Sequence, residues 1–229
     1  MYFDFNTAAT TSLVMIVFAQ ISALWTFFKT GLVDLKMVLV LEIPTMIGAF
    51  AGGMLAHHFN VTVLYIMFAC VLFLASYFML RDEAHLGGFL KGIGLSTWEW
   101  TREFRDNVYT IDLMLSTPLT FMIGYMGGTL GIAGGWLKIP LMVVLFNVPM
   151  KIAVASSALM VTFTGFSGFL GHSVVGQFDP RLALSLSVIT IVGAQIGSRI
   201  STKTESNFLR FMFAFVLSMV GLWMILRSI

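Results

Sequence analysis

Charged residues are scarce in this sequence. Only 10% of its 229 residues are charged, whereas 58% are hydrophobic. A water-soluble domain needs far more charge on its surface than this, so the composition excludes a soluble globular protein and indicates a chain whose solvent is lipid. The net charge of +2 is also too small to indicate a nucleic-acid partner.

Cysteine is nearly absent. A lone Cys70 excludes an intrachain disulfide and any CxxC redox or zinc motif. The four histidines lack metal-ligand spacing, and the sequence has no Walker motif, which argues against direct use of ATP. We therefore expect no metal and no cofactor.

Long apolar runs are abundant. Four stretches of about 20 residues carry at most one formal charge each, and each is long enough to span a bilayer. We expect no removable signal peptide, so that the first helix itself directs insertion. The four stretches are 7–26, 37–56, 61–80 and 208–226.

An internal repeat appears when the chain is aligned with itself without gaps. The alignment keeps glycine and aspartate in register, which a shared apolar composition would not do. It predicts three helices per repeat, at 8–28, 37–57 and 61–80 and again at 151–175, 181–201 and 206–227. The matched pairs include Ser12 and Ser157, Gly31 and Gly176, Asp34 and Asp179, Gly48 and Gly193, and Leu64 and Leu209.

The second repeat alone is preceded by an apolar hairpin with a glycine-rich break, at 113–150. We therefore expect an all-α polytopic membrane protein with about eight membrane segments and two inverted-topology repeats, the first incomplete. Its predicted parts are a partial first repeat (1–81), an interfacial linker (82–112) and a second repeat (113–229). Either an upstream segment or a second copy of the chain would complete the first repeat.

The distribution of Lys and Arg predicts the orientation. With the hairpin entering and leaving on the same side, most basic residues fall on one side, which is then cytoplasmic, together with the linker 82–112. Only Arg181 and Arg227 fall on the other side. The cytoplasmic set is Lys29, Lys36, Arg81, Lys91, Arg102, Arg105, Lys151, Arg199, Lys203 and Arg210.

The glycine-rich break carries the most specific motif. Residues 124–141 read GYMGGTLGIAGGWLKIPL. This segment resembles the signature of the sulfite exporter TauE/SafE family, a G-x-x-G-G-x-x-G-x-G-G-G pattern followed by Pro. The resemblance continues through 153–157 (AVASS) and through the Gly-x-x-Asp and Gly-Ala-x-x-Gly motifs of both repeats. Two departures are Ala133, where the family usually has glycine, and the missing first hairpin.

The resemblance implies a carrier for a small anion, namely sulfite, an organosulfonate, or a related sulfur oxyanion or carboxylate. Independently of the family, a helix broken inside lipid leaves backbone groups without partners, so the break must line a cavity or be buried in protein. Amides at the restarting helix then suit an anion. The candidate binding residues of this segment are Gly131, Ala133, Gly134, Gly135 and Lys138.

Hydroxyl side chains are expected at the same depth. Ser156 and Ser157 begin one helix, and Thr11 and Ser12 occupy the corresponding place in the first repeat; all four are candidate substrate ligands or helix caps. Weaker candidates on the same helices are Gln20, Ser22, Thr164 and Ser167.

Three other features of the predicted helices are an acid inside a span, two aspartates at helix starts and two stripes of small residues. Glu42 lies inside a predicted span and is a candidate for proton coupling, or it reaches the interface by snorkelling. Asp34 and Asp179 look like helix caps. The small-residue stripes of Gly48, Gly52 and Ala56 and of Gly193, Gly197 and Ser201 predict close helix packing.

A membrane enzyme is the rival class. Residues 165–168 match the GxSG of rhomboid-type intramembrane serine proteases, but the match is weak. His172 lies about 140° around the same helix from Ser167, and no other histidine lies inside a predicted span to serve as the base. An accessory membrane subunit that no longer transports is a further alternative. The prediction is a non-enzymatic secondary transporter of the cytoplasmic membrane that moves a small anion by alternating access.

Overall fold

The computed structural model describes residues 5–58, 61–81, 98–174 and 180–228. Eight helices and one β-hairpin lie within this described part. The helices are α1 (Phe5–Thr30), α2 (Leu35–Leu55, extended by a 3₁₀ turn at Ala56–His58), α3 (Val61–Leu80), α4 (Leu113–Leu130), α5 (Gly135–Pro140), α6 (Met150–Ser173), α7 (Pro180–Lys203) and α8 (Ser206–Ser228); the strands are β1 (Glu99–Phe104) and β2 (Asn107–Asp112).

Six of these helices, α1, α2, α3, α6, α7 and α8, are long and apolar enough to cross a membrane. Their outer faces expose large apolar side chains, such as Trp25 and Ile189, which are 65% and 70% exposed. Such surfaces are stable only against lipid. The prediction of an all-α polytopic membrane protein is confirmed, with α4 and α5 forming the shorter hairpin.

The helices pair as two repeats around a twofold axis would. Helix α1 packs against α7, and α2 packs in the same way against α6. In the internal alignment α1, α2 and α3 correspond to α6, α7 and α8. A twofold rotation that exchanges the repeats therefore turns the α1–α7 contact into the α6–α2 contact. Two further large contacts between the three-helix sets, α1 with α6 and α3 with α8, map onto themselves, whereas the α2–α4 contact has no symmetric counterpart among the described residues.

The broken hairpin is held by backbone contact between α2 and α4. A Cβ added to Gly48 or Gly52 would stand 2.2 Å from a backbone oxygen of α4. Conversely, a Cβ on Gly124 or Gly128 would stand 2.1 or 2.3 Å from a backbone oxygen of α2. Only glycine permits this approach, so the small-residue stripe of α2 is a helix-packing surface.

The matching stripe on α7 has no such neighbour. A Cβ built on Gly193 or Gly197 meets nothing within 4 Å, and both glycines are exposed. The reason is visible in the pairing: α4 covers α2, whereas no described helix takes the corresponding place on α7. The close-packing interpretation of the stripes therefore holds for α2 and not for α7 among the described residues.

The described end of the linker, residues 98–112, contains an antiparallel β-hairpin in which Glu99 pairs with Asp112 and Phe104 with Asn107. The sequence analysis did not predict these strands. Burial alternates along β1: Trp100, Arg102 and Phe104 are half-buried on the face towards the helices, whereas Glu99, Thr101 and Glu103 are exposed. Residues 82–97 of the predicted linker lie outside the described residues.

Asp34 joins this hairpin to the helical bundle. Its carboxylate caps α2 by accepting from the amides of Lys36 and Met37 at 3.0 and 3.3 Å, which confirms the predicted cap. It also accepts two hydrogen bonds from Arg102, at 2.9 and 3.1 Å, and one from Tyr109 at 2.5 Å. Its own amide donates to Ser156 on α6 at 3.0 Å. The corresponding Asp179 lies outside the described residues.

The two glycine stripes give a matched pair of variants. We expect Gly52→Ala to lower the free energy of unfolding by about 1–3 kcal/mol, because the added methyl group collides with the α4 backbone. In Gly197→Ala the added methyl group meets no neighbouring atom, so stability should stay unchanged or rise slightly, because alanine has the higher helix propensity. Thermal unfolding of both proteins in the same detergent measures the difference, and equal effects would contradict the packing described above.

Asp34 predicts an acid-sensitive contribution to stability. Burial raises the pKa of the Asp34 carboxyl, but the hydrogen bonds from Arg102 and Tyr109 outweigh this and hold the pKa below its usual range. The stabilisation is therefore complete above the unfolded-state pKa and is lost as the pH falls through the lower folded-state pKa. Asp34→Asn should cost about 2 kcal/mol at neutral pH and flatten this acid dependence, whereas Asp106→Asn in the exposed hairpin turn should do neither. Unfolding midpoints measured against pH test this.

Candidate functional site

The predicted break between α4 and α5 is present. Helix α4 ends at Leu130, and three of the next four residues adopt left-handed backbone conformations, with φ of 72° at Gly131, 55° at Ala133 and 64° at Gly134. Helix α5 then begins at Gly135. Since left-handed backbone favours glycine, the glycine-rich motif is what lets the chain reverse here.

The backbone of this loop finds partners inside the protein. The amide of Gly131 donates to the carbonyls of the last turn of α4, and the amide of Ile132 donates to Gly127 at 3.0 Å. The hydroxyl of Ser12 on α1 donates to the carbonyl of Gly131 at 2.6 Å. A Cβ on Gly127 would stand 2.3 Å from the nitrogen of Gly134, so the loop folds tightly back on α4. These hydrogen bonds give backbone groups of the broken helix partners inside the protein, which they need because lipid offers none.

The second arm of the hairpin is short. Helix α5 continues as a π-helical turn at Leu141–Leu145, and the arm Gly135–Leu145 is the shorter apolar helix of the described chain. At about 1.5 Å per residue it reaches roughly 16 Å. The hydrocarbon layer is about 30 Å thick, so this arm alone is too short to cross it.

A cavity of about 470 Å³ lies beside this loop. Four elements enclose it: α1, the α4–α5 hairpin, α6 and α8. Its polar lining side chains are Gln20, Trp136 and Ser157, and Gly135 brings the backbone of α5 to its wall. The full lining is Ile16, Gln20, Ile132, Gly135, Trp136, Ile139, Ser157, Val161, Leu209, Met212, Phe213 and Val216.

A second cavity differs in chemistry. It has a similar volume, about 500 Å³, and lies among α1, α6 and α7. Every lining side chain is apolar, so it offers an anion no hydrogen-bond donor. Its lining is Val14, Val17, Phe18, Ile21, Phe166, Phe169, Pro180 and Leu184.

The prediction that the four hydroxyl residues begin their helices is wrong, because α1 begins at Phe5 and α6 at Met150, so all four lie inside the helices rather than at their caps. Their side chains have different partners. Ser157 lines the first cavity, and its hydroxyl donates to Val154 at 2.8 Å. Ser12 binds the glycine loop, as described above, and Thr11 donates to Thr7 at 2.7 Å. Ser156 is fully buried, and its hydroxyl oxygen accepts a hydrogen bond from the amide of Asp34. Of the four, Ser157 alone is on the cavity wall among the described residues.

Lys138 and Glu42 form a buried ion pair. The Lys138 ammonium lies 2.6 Å from a carboxylate oxygen of Glu42, and both side chains are almost fully enclosed. The hydroxyl of Thr164 on α6 contacts both charged groups, receiving a hydrogen bond from Lys138 and donating one to Glu42. Neither charge reaches the interface by snorkelling. Three elements, α2, α5 and α6, thus meet at one polar cluster inside an apolar bundle.

The sequence analysis identified Lys138 and Glu42 separately and did not pair them. Lys36, the basic residue on the same helix as Glu42, is exposed and is not its partner. One observation in the sequence could have found the pair: Glu42 is the one acidic residue of its span and Lys138 the one basic residue of the hairpin helices. Two opposite charges isolated in lipid stabilise each other when they meet.

Ser167 and His172 contact different backbone carbonyls. The Ser167 hydroxyl donates to Met46 at 2.7 Å, and the buried His172 ring lies 2.7 Å from the carbonyl oxygen of Gly128. Both side chains therefore join α6 to neighbouring helices. Among the described residues, no group of His, Cys, Asp and Glu could hold a metal ion.

Comparison with known families gives a match over nearly the whole chain. The family model described as sulfite exporter TauE/SafE matches residues 1–224. No solved structure gives a significant match.

Several curated proteins are similar to this chain. The probable membrane transporter protein YunE of Bacillus subtilis (strain 168) is 28% identical over 231 residues, which cover 98% of this chain and 82% of the relative. The probable membrane transporter protein YdhB of the same organism is 25% identical over 114 residues, covering 50% of this chain and 46% of the relative. The probable membrane transporter protein MJ0441 of Methanocaldococcus jannaschii is 28% identical over 112 residues, covering 45% and 42%.

The buried ion pair predicts non-additive effects on stability. Lys138→Met alone should lower the free energy of unfolding by about 3–5 kcal/mol, because it leaves the Glu42 carboxylate buried without its partner. Adding Glu42→Gln should recover much of this loss. Lys36→Met, at an exposed position, should change stability by about 0.5 kcal/mol or less. Unfolding of the single and double variants in mixed detergent tests the pairing, and additive losses would contradict it.

Proposed function

This chain belongs to the sulfite exporter TauE/SafE family, and on that premise we propose that it is a secondary transporter that carries a small anion across the cytoplasmic membrane. The substrate class is sulfite, an organosulfonate, or a related sulfur oxyanion or carboxylate. The family description supports the sulfur chemistry, and the names of the relatives support transport across a membrane.

One observation carries the proposal: the glycine break borders a cavity at the junction of the two repeats. The wall includes Gly135 from the hairpin, Ser157 from the second repeat and Gln20 from the first. A carboxamide and the backbone of a helix start are uncharged donors that bind small anions, and the Ser157 hydroxyl becomes a third donor when it turns from the Val154 carbonyl to the anion. We propose that the anion binds here, with Gly131, Ala133 and Gly134 shaping the loop around it.

The division of the cavity between repeats supports alternating access. Helix α1 belongs to the first repeat (1–81), whereas the hairpin, α6 and α8 belong to the second (113–229). Rocking one repeat against the other would open the shared site to one side of the membrane and then to the other. The excess of Lys and Arg supports a cytoplasmic position for the linker 82–112, between the repeats.

The contacts of Ser167 argue against the protease alternative. A serine nucleophile needs a base within hydrogen-bond reach, and the Ser167 hydroxyl instead donates to a backbone carbonyl. We therefore propose that the protein is not an enzyme. A fluorophosphonate probe that labels Ser167 would contradict this.

Transport is tested with the purified chain in proteoliposomes. We expect one or more of sulfite, sulfoacetate, taurine and lactate to bind and to exchange across the membrane. Ser157→Leu should fill the cavity and weaken binding by about tenfold or more, which corresponds to about 1.4 kcal/mol. Val14→Leu, in the apolar cavity, is the matched control and should leave binding unchanged.

Two outcomes would overturn the proposal. Binding of none of these anions, with no flux, would favour an accessory subunit that does not transport. Equal weakening by Ser157→Leu and Val14→Leu would place the site elsewhere. Thermal unfolding of both variants separates loss of binding from loss of folding.

A further inference from the structure

The Glu42–Lys138–Thr164 cluster lies next to the proposed anion cavity without opening into it. Along α6, Ser157 and Val161 line the cavity, and Thr164 follows one turn later on the same face of the helix. Along α5, Gly135 lines the cavity and Lys138 follows three residues later. The side chain of Val161 packs against Gly135, since a Cβ added there would stand 2.4 Å from a Val161 methyl carbon. Val161 and Gly135, which line the cavity and contact each other, thus each lie about one turn from a residue of the cluster on the same helix.

Few other titratable groups face Glu42. Helix α2 also carries Lys36, which is exposed at its first turn. Helix α6 carries Lys151 at its start and His172 two turns beyond Thr164, where the ring contacts Gly128. The partly exposed Tyr125 is the one titratable side chain of α4. Lys138 is thus the cation that Glu42 contacts among the described residues.

Charge balance limits what this cluster can bind. With Glu42 ionised, the pair is neutral, and the Lys138 ammonium donates two of its three N–H groups to the carboxylate and Thr164. An anion entering beside it would meet the Glu42 carboxylate in a medium of low dielectric constant, where like charges repel strongly. If a proton binds to Glu42, the carboxyl becomes neutral and Lys138 can pair with the anion instead. The loaded cluster is again neutral.

From this geometry we propose that Glu42 is the proton-binding site of a proton-coupled carrier and that Lys138 pairs with the anion, which passes from the cavity to the cluster when the contact between Val161 and Gly135 opens. The inference rests on the proposed function. One proton binds to a Glu42 oxygen for each singly charged anion that pairs with Lys138, and both leave together on the other side. No covalent bond other than that proton's changes. Thr164 is a positioning residue, because it contacts both groups and can hold the Lys138 ammonium while the carboxyl is neutral.

Methanesulfonate is the probe, because its own charge does not change near neutral pH. Binding to the wild-type protein should strengthen as the pH falls, by up to tenfold per pH unit while Glu42 is ionised in the empty protein. In weakly buffered solution, binding should remove one proton from the medium per anion bound. Both measurements use the wild-type chain, so they test the proposal even if a variant fails to fold.

Variants separate the two roles. Glu42→Gln is permanently neutral, so methanesulfonate binding should become independent of pH, and anion exchange should continue while accumulation driven by a pH gradient is lost. Lys138→Met should lose binding at every pH. Thr164→Val should weaken binding while keeping its pH dependence. Glu205→Gln and Lys36→Met, both at exposed positions, are the matched controls and should behave like the wild type.

The outcomes distinguish two failures. If the wild-type protein binds neither methanesulfonate nor any anion of the substrate panel at any pH, the proposed function itself fails. If it binds and exchanges anions but takes up no proton, or if Glu42→Gln keeps the pH dependence and proton-driven accumulation, the carrier stands and this coupling site is wrong.

Discussion

The contact between α2 and α4 is the constraint on which the rest of this structure depends. A helix interrupted within lipid is stable only if protein surrounds the interruption. The glycines of α2 and α4 let the two backbones touch, and this contact fixes α4 with its loop against the bundle. The position of α5 follows from the loop, and with α5 come the cavity wall at Gly135 and the ammonium of Lys138. Close backbone packing thus determines where a charge can be buried.

The architecture was largely predictable from the sequence, because its signals are local or repeated. Apolar runs set the spans, the internal alignment set their correspondence, and the glycine motif set the break. The Lys138–Glu42 pair was not predictable in this way. Glu42 belongs to the first repeat and Lys138 to the second. The residue that the internal alignment matches to Glu42 is the uncharged Ser187, whose hydroxyl donates to the carbonyl of Ala183 on its own helix. Pairing them requires the fold.

The β-hairpin was missed for a related reason. Its strands are only six residues long each, and their mixture of aromatic and charged residues also suits a segment lying at a membrane surface. A β-hairpin is distinguished from a segment lying at the membrane surface by a partner that is distant in the sequence. This partner is the carboxylate of Asp34, which accepts hydrogen bonds from Arg102 and Tyr109. A helix cap was predictable at Asp34, because capping is local. Its role as the junction of three elements was not.

The neighbouring serines of α6 have a mechanical consequence. Ser156 is bonded to the turn between α1 and α2, while Ser157 stands on the cavity wall. Movement of that wall must either break the bond at Asp34 or drag the β-hairpin with it. The β-hairpin is in this way linked mechanically to the wall of the cavity, so a ligand that immobilises the hairpin should slow the proposed transport without occupying the cavity.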